Sequence, residues 1–223
     1  MVRDCSLSEI SDGKYYGVND MVKAGCDDCK GCSACCHGMG DSIQLDPYDI
    51  YRLTTGLGKT FEQLVADHIE LNVQQGIILP NLKMSGTEEA CTFLTKEGRC
   101  SIHANRPGIC RIFPLGRYYE ERSFQYILQV HECPKPNKTK VKVSKWIDTK
   151  EISKNEQFIN TWHYFIKDMQ KAIQSVTDEQ QIRTISLYIL NQFYTKPYTV
   201  DQDFYTQFDE RMAQAKSIFT FLA

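Results

Sequence analysis

Five of the ten cysteines in the chain lie within eleven residues, between positions 26 and 36. Three successive C-x2-C steps end there in an adjacent pair, Cys35-Cys36. Thiolates are soft ligands that select zinc, copper(I) or iron-sulfur centres over magnesium or calcium. This row of thiols therefore indicates a metal centre, and four downstream cysteines could complete its coordination: Cys91, Cys100, Cys110 and Cys133.

The spacing fits both iron-sulfur and zinc chemistry. Cys29, Cys32 and Cys35, together with the remote Cys133, resemble the arrangement in bacterial ferredoxins, where such a run holds a [4Fe-4S] cluster. Two C-x2-C pairs would instead satisfy a structural zinc ion. Neighbouring side chains tend to diverge, so we expect Cys35 and Cys36 to serve different centres. We prefer a [4Fe-4S] cluster, with zinc as the alternative or additional metal.

The composition is that of a globular protein with little net charge. The 223 residues are 42% hydrophobic and 24% charged, and the formal net charge is −2. We therefore expect another protein as the partner, and neither a membrane nor nucleic acid. No apolar run has the length of a signal-peptide core or a transmembrane helix, so we expect a cytoplasmic protein. Thiols stay reduced in that compartment, which favours metal ligation over disulfides.

Short local signals predict the elements around the cysteines. Asp46 can cap a helix, Thr60 begins a capping box for a second helix, and a hairpin joins Cys91 to Cys100. Apolar and polar residues alternate over 124–130, as in a strand. Amphipathic patterns predict three helices after residue 150.

These elements predict an α+β fold that is mostly helical, with a small antiparallel sheet in a cysteine-rich metal-binding domain and a C-terminal helical subdomain. The division has four parts. They are an irregular N-terminal arm (1–25), the cysteine-cluster metal-binding domain (26–136), a lysine-rich, partly extended connection (137–150) and the helical subdomain (151–223).

Four motifs follow one another in a fixed order between residues 29 and 134. They are Cys29-x2-Cys32-x2-Cys35-Cys36, Cys91-Thr-Phe-Leu with Cys100-Ser-Ile-His, Arg106-Pro with Cys110-Arg111, and Cys133-Pro134. The series resembles the CxxCxxCC, or YkgJ-type, cysteine-cluster family, which is described as zinc- or iron-chelating. The resemblance implies that the eight cysteines of these motifs bind metal. Cys5 and Cys26 fall outside the set and are interpreted as spare thiols or alternative ligands.

Charged and imidazole side chains border the motif cysteines. We expect Arg106 and Arg111 to support the cofactor, because a cluster with four thiolates carries negative charge that is costly to bury unpaired. Ordinary packing is the alternative role for both arginines. His37, His103 and His131 are alternative ligands, although eight thiols already suffice.

The function indicated is metal binding that serves electron transfer, redox sensing or the modification of another protein. A related cysteine-rich domain occurs in flagellin lysine-N-methylases, so the resemblance also implies an S-adenosylmethionine-dependent protein lysine methyltransferase as an alternative. The chain has no Gly-rich strand-to-helix signature for a nucleotide-like cofactor. A third alternative is a structural zinc interaction module that docks its partner through the lysine-rich stretch. No nucleophile, base and orienting group can be assembled from the sequence, so enzymatic activity stays open.

Overall fold

A computed structural model describes residues 7–26, 29–30 and 32–219. Cys5 lies outside the described residues. Helices and small antiparallel sheets are combined, and more residues lie in helices than in strands, which confirms the mostly helical α+β fold. Among the described residues, no helix has both the length and the apolar character needed to cross a membrane.

The helices and strands have the following bounds. The α-helices are α1 (Leu7–Ile10), α2 (Pro47–Leu57), α3 (Phe61–Asp67), α4 (Gly108–Ile112), α5 (Val143–Ile147), α6 (Ile152–Ile173), α7 (Glu179–Leu190) and α8 (Phe204–Ile218). The strands are β1 (Ser11–Tyr16), β2 (Met21–Gly25), β3 (Ile69–Gln74), β4 (Ile77–Leu82), β5 (Met84–Ser85), β6 (Ala90–Cys91), β7 (Leu115–Glu120), β8 (Ser123–Gln129) and β9 (Thr139–Lys142).

The chain forms two compact units, and each is discontinuous in sequence. The cysteine unit comprises residues 1–43 and 83–152, and it holds all nine described cysteines. The helical unit comprises residues 44–82 and 153–223. These units differ from the division expected from the sequence, which placed residues 44–82 with the cysteines. Hydrogen bonds from Ile78 N–H to Ser186 Oγ (2.7 Å) and from Gln170 Nε2 to the Gln74 carbonyl (3.1 Å) hold that segment to α6 and α7.

In the cysteine unit, short strands pair across long stretches of sequence. β1, β8 and β7 form a three-stranded antiparallel sheet, and β2 pairs with β9 as a separate ribbon. The described part of the expected irregular arm therefore contains two strands. The expected strand over 124–130 is confirmed as β8, and the lysine-rich connection is extended only in β9 before it turns into α5. A compact core underlies these elements, formed by Val22, Ala24, Ile112, Leu115, Tyr126, Val143 and Ile147.

The helical unit begins with two capped helices. The Asp46 side chain accepts a hydrogen bond from Asp49 N–H at the start of α2, and Thr60 makes the equivalent bond with Gln63 N–H at α3. Both predicted helix starts are thus confirmed. The apolar spacing from Phe61 to Leu71 predicts a longer second helix, but α3 ends at Asp67 and Leu71 lies exposed on β3. Residues 69–74 form a strand and not a continuation of the helix, because each of them pairs with a residue of β4.

Three helices after residue 150 complete the helical unit, as predicted. Their apolar faces form an aromatic core in which the Trp162 ring lies 4.9 Å from that of Phe193. One turn of π-helix, Asn191–Thr195, follows α7. Arg211 of α8 closes this turn, since its Nη1 donates to the carbonyls of Gln192 (2.9 Å) and Lys196 (2.7 Å).

Candidate metal centre

The cysteine row begins at the end of β2 and turns back on itself. Cys26 is buried, and its Sγ lies 3.6 Å from Cys29 Sγ. The Cys32 N–H donates to the Cys29 carbonyl at 3.0 Å, and Cys36 N–H donates to the Ser33 carbonyl at 2.8 Å to close a short 3-10 turn over Ala34–Cys36. Two successive tight turns therefore carry the five thiols.

A backbone bridge brings this row to the second set of cysteines. His37 pairs antiparallel with Ala90, and Gly38 N–H donates to the Glu89 carbonyl at 3.0 Å. Because antiparallel partners run in opposite directions, the residue before His37 lies opposite the residue after Ala90. The register therefore places Cys36 beside Cys91.

The predicted hairpin then adds Cys100. Leu94 N–H donates to the Cys91 carbonyl at 2.8 Å, and Leu94 also pairs with Cys100. Gly98 supplies the positive φ of 71° that the connecting turn needs. Cys36, Cys91 and Cys100 thus converge although more than fifty residues separate the first from the other two.

The thiols of the adjacent residues Cys35 and Cys36 interact with each other. The thiol hydrogen bond with Cys36 lowers the pKa of Cys35 to about 7, despite opposing desolvation. The same bond and burial raise the pKa of Cys36, and the charges of Cys91 and Cys100 raise it further. The backbone changes from the 3-10 turn to extended geometry at His37, and this change lets the two side chains meet.

Burial and neighbouring thiols hold three further cysteines in their protonated form. Burial, followed by the charge of Cys26, raises the pKa of Cys29 to about 12. Burial also raises the pKa values of Cys91 and Cys100; the charge of Cys35 raises both further, and the charge of Cys100 raises that of Cys91. The charge interactions therefore join thiols from both segments into one group.

Arg106 is the cation of this group. Its charge lowers the pKa values of Cys29, Cys35 and Cys100, opposing the desolvation that each thiol suffers. Its Nη1 lies 2.9 Å from His103 Nε2, and since arginine only donates, that imidazole nitrogen accepts. His103 therefore positions Arg106, a role that the sequence did not suggest. The Arg106 Nε is buried and has no hydrogen-bond partner.

Arg111, unlike Arg106, makes its described hydrogen bonds to backbone carbonyls. It is buried on α4, where its Nη2 donates to the Ala104 carbonyl at 2.8 Å and its Nη1 to the Asp148 carbonyl at 3.2 Å. A carboxylate oxygen of Asp148 lies 3.9 Å from Nη1. Arg111 thus ties α4 to the end of α5 and to the turn that leads into Arg106.

The remaining motif cysteines lie half-buried on neighbouring segments. Cys32 follows the first turn of the row, and Cys110 lies on α4. Lys135 Nζ donates to the Lys30 carbonyl at 2.7 Å, which holds the segment after Cys133 against the row. The backbone of His37 forms the bridge to Ala90, its Nδ1 lies 3.4 Å from the Glu88 carbonyl, and His131 is exposed.

The donor chemistry fits a thiophilic metal. All nine described cysteines are free thiols, and the buried, unpartnered Arg106 Nε offers an N–H donor beside three of them. Within the part of the chain that the structure describes, however, no group of three or more His, Cys, Asp or Glu side chains has the spacing to hold a metal ion.

Comparison with known proteins identifies the domain that carries these cysteines. The CxxCxxCC family model, described as a "putative zinc- or iron-chelating domain", matches residues 28–134 and confirms the resemblance drawn from the four motifs. This match supports metal binding. No curated protein and no solved structure matches the chain significantly. Residues 28–134 of the chain are therefore similar in sequence to the CxxCxxCC domain.

Proposed function

We propose that the cysteine unit binds a thiophilic metal centre, preferably a [4Fe-4S] cluster, through Cys35, Cys36, Cys91 and Cys100. The observation that carries this proposal is the backbone pairing of His37 with Ala90 and of Leu94 with Cys100, which brings these thiols together from two distant segments of the chain. We assign the other motif cysteines to a supporting set that completes the coordination or holds a second metal. These are Cys29, Cys32, Cys110 and Cys133.

The surroundings of the thiols favour a cluster over a single zinc ion. A cluster adds sulfide acceptors to the four thiolates, and hydrogen bonds to its sulfurs set its potential. The buried Arg106 Nε supplies a donor of this kind, and its guanidinium supplies a compensating charge. Zinc, the alternative, would use the same thiolates in a closed structural site.

A bound cluster would supply one-electron chemistry. The chain's own residues would hold it, exclude water and carry its negative charge beside Arg106. We infer roles in electron transfer, in redox sensing or as an accessory to the modification of another protein, in a compartment that keeps thiols reduced, such as the cytoplasm.

Single cysteine replacements test the proposed ligands. The variants Cys35→Ser, Cys36→Ser and Cys91→Ser, purified anaerobically, should each lose most of the bound metal, and Cys35→Ser should lose as much as Cys36→Ser. Cys5→Ser, which changes a cysteine outside the matched family domain, is the control and should keep its metal. Unequal losses at Cys35 and Cys36 would show that the adjacent thiols serve different centres. Undiminished metal in all three variants would refute the ligand assignment.

A lysine face on the β2–β9 ribbon favours the zinc interaction module as a second candidate. Met21 pairs with Lys142 and Val22 with Val141, so Lys23, Lys140 and Lys142 share the face opposite buried Val22. We call these three lysines the lysine ribbon. Its charge fits an acidic segment of a partner protein.

Binding of a polyglutamate peptide at low salt tests this candidate. The double variant Lys23→Glu/Lys140→Glu should bind the peptide several-fold more weakly than the native chain. Lys216→Glu, which reverses an exposed charge on α8, is the control. Equal binding by the double variant, or tighter binding to duplex DNA or to anionic vesicles, would exclude an acidic protein segment as the occupant.

The methyltransferase alternative rests on the family resemblance alone. Calorimetric titration with S-adenosylmethionine separates it from a non-enzymatic metal protein. Saturable binding would favour methyl transfer, and a titration without binding heat would remove it.

A further inference from the structure

Cys26 lies just outside the family domain but touches its first motif. The matched domain begins at residue 28, whereas Cys26 Sγ lies 3.6 Å from the Sγ of Cys29. Two sulfurs at this distance are in van der Waals contact. Cys26 is only 8% exposed, so its thiol faces Cys29 and not bulk solvent.

The backbone before Cys26 is held firmly in place. Gly25 pairs with Thr139, and a Cβ at position 25 would lie 2.3 Å from Thr139 Oγ1 and 3.2 Å from its carbonyl oxygen. Only glycine permits this close approach of β9. The pairing therefore fixes where Cys26 leaves the ribbon, and Cys29 turns back towards it with a φ of 54°.

We propose that Cys26 and Cys29 form a redox-active dithiol that closes to a disulfide in the presence of a peroxide. One thiol attacks the peroxide, the O–O bond breaks, and a sulfenic acid and one water form. The second thiol displaces the hydroxyl group, so the S–S bond forms and a second water leaves. The two thiols lose two electrons and two protons in total, and one hydrogen peroxide becomes two waters.

Closure of this dithiol would weaken metal binding, an effect that rests on the proposed function. Cys29 interacts with Cys35 and with Arg106, so it links the dithiol to the proposed ligands. A disulfide at Cys29 removes one thiolate from the supporting set and releases Arg106 from that partner. Cys26 would thus act as the resolving thiol of a site that it does not itself ligate.

Peptide mapping tests the disulfide directly. Trypsin cleaves after Lys23 and Lys30, and the peptide between them, residues 24–30, contains Cys26 and Cys29 as its two cysteines. The full chain is treated with increasing amounts of hydrogen peroxide, alkylated and digested with trypsin. The masses of the peptides are then measured by mass spectrometry. This peptide should become unalkylated and two hydrogens lighter as peroxide is added. Alkylation of both of its cysteines while other cysteines form disulfides would overturn the proposal.

Metal release tests the consequence separately. A chromophoric chelator should report peroxide-induced release from the native chain and several-fold slower release from Cys26→Ser, with equal metal content before oxidation. Cys26→Ala is a second variant in case serine disturbs this buried position, and Cys5→Ser is the control. Release at the native rate from both Cys26 variants would overturn the link to metal. A chain that holds no metal would refute the proposed function, while the peptide mass still decides whether the disulfide forms.

Discussion

Arg106 places one positive charge beside three thiols that come from two distant segments of the sequence. Its charge opposes the desolvation of Cys29, Cys35 and Cys100, and His103 fixes the guanidinium. Cysteines bind metal as thiolates, so each raised pKa reduces metal affinity at neutral pH. Arg106 therefore acts on the ligands and not as a ligand.

Replacement of Arg106 should shift the pH dependence of metal binding. In Arg106→Gln the pKa values of the three neighbouring thiols rise, so the pH midpoint of zinc binding should increase by about one unit. Arg106→Lys should lie between the two, because it keeps the charge but not the planar set of donors. Competition with a chromophoric chelator between about pH 6 and 9 measures the midpoint. An unchanged midpoint in Arg106→Gln would show that Arg106 has only a packing role.

Residue types and spacing were enough to predict a thiol-based metal site and to single out Arg106. They could not show which thiols meet, because the bridge between His37 and Ala90 sets that register and leaves no local sequence signal. Cys26 was interpreted as a spare thiol or an alternative ligand because it precedes the matched motifs. The C-x2-C spacing between Cys26 and Cys29 was the sequence signal that could have placed Cys26 among the functional cysteines.

At the scale of elements, local signals were reliable and long-range pairings were not. The capping residues of α2 and α3 lie within a few positions of the helix starts that they define. β1 and β2 instead pair with β8 and β9, more than a hundred residues away. The polar sequence of β1 does not alternate, and β2 has only five residues. The sequence therefore predicted an irregular arm where the structure has strands.

The arginine that closes the π-helical turn of the helical unit gives a prediction at this scale. Arg211 donates to three carbonyls, the third being that of Pro197 at 2.7 Å, and its guanidinium lies 3.6 Å from the centre of the Tyr198 ring. Arg211→Lys should lower the free energy of unfolding by about 3 kcal/mol, since hydrogen bonds to charged groups contribute roughly 1.5–3 kcal/mol each and lysine can keep only part of the set.

Urea unfolding followed by Trp162 fluorescence in a Trp146→Phe background measures this change. Arg183→Lys, at an exposed position of α7, is the matched control and should unfold as the native chain does. A similarly small effect at Arg211 would show that water replaces its hydrogen bonds without loss.

At the scale of the molecule, the division of the chain into two discontinuous units has no signal in the sequence. The chain leaves the cysteine unit after residue 43 and returns at residue 83, so no boundary drawn once along the sequence can separate the two cores. Each unit contains one of the two tryptophans. Trp146 donates to the Ile112 carbonyl at 3.0 Å in the cysteine unit, and Trp162 is buried in the helical unit.

These tryptophans should report the effect of metal on each unit separately. Metal binds the folded cysteine unit, so saturation at a hundred times the dissociation constant should stabilise that unit by about 2.7 kcal/mol. Urea unfolding of Trp162→Phe, which leaves Trp146 as the reporter, should shift on metal addition. Unfolding of Trp146→Phe should not shift. A metal-induced shift seen only through Trp162 would place the metal site in the helical unit and contradict the assignment to the cysteine unit.

Metal and sulfide analysis of the anaerobically purified chain tests the central claim most directly. The account predicts about four iron and four acid-labile sulfide per chain, with broad visible absorbance that bleaches on reduction. Stoichiometric zinc without iron or sulfide would contradict the cluster, and a chain with neither metal would contradict the thiol centre itself.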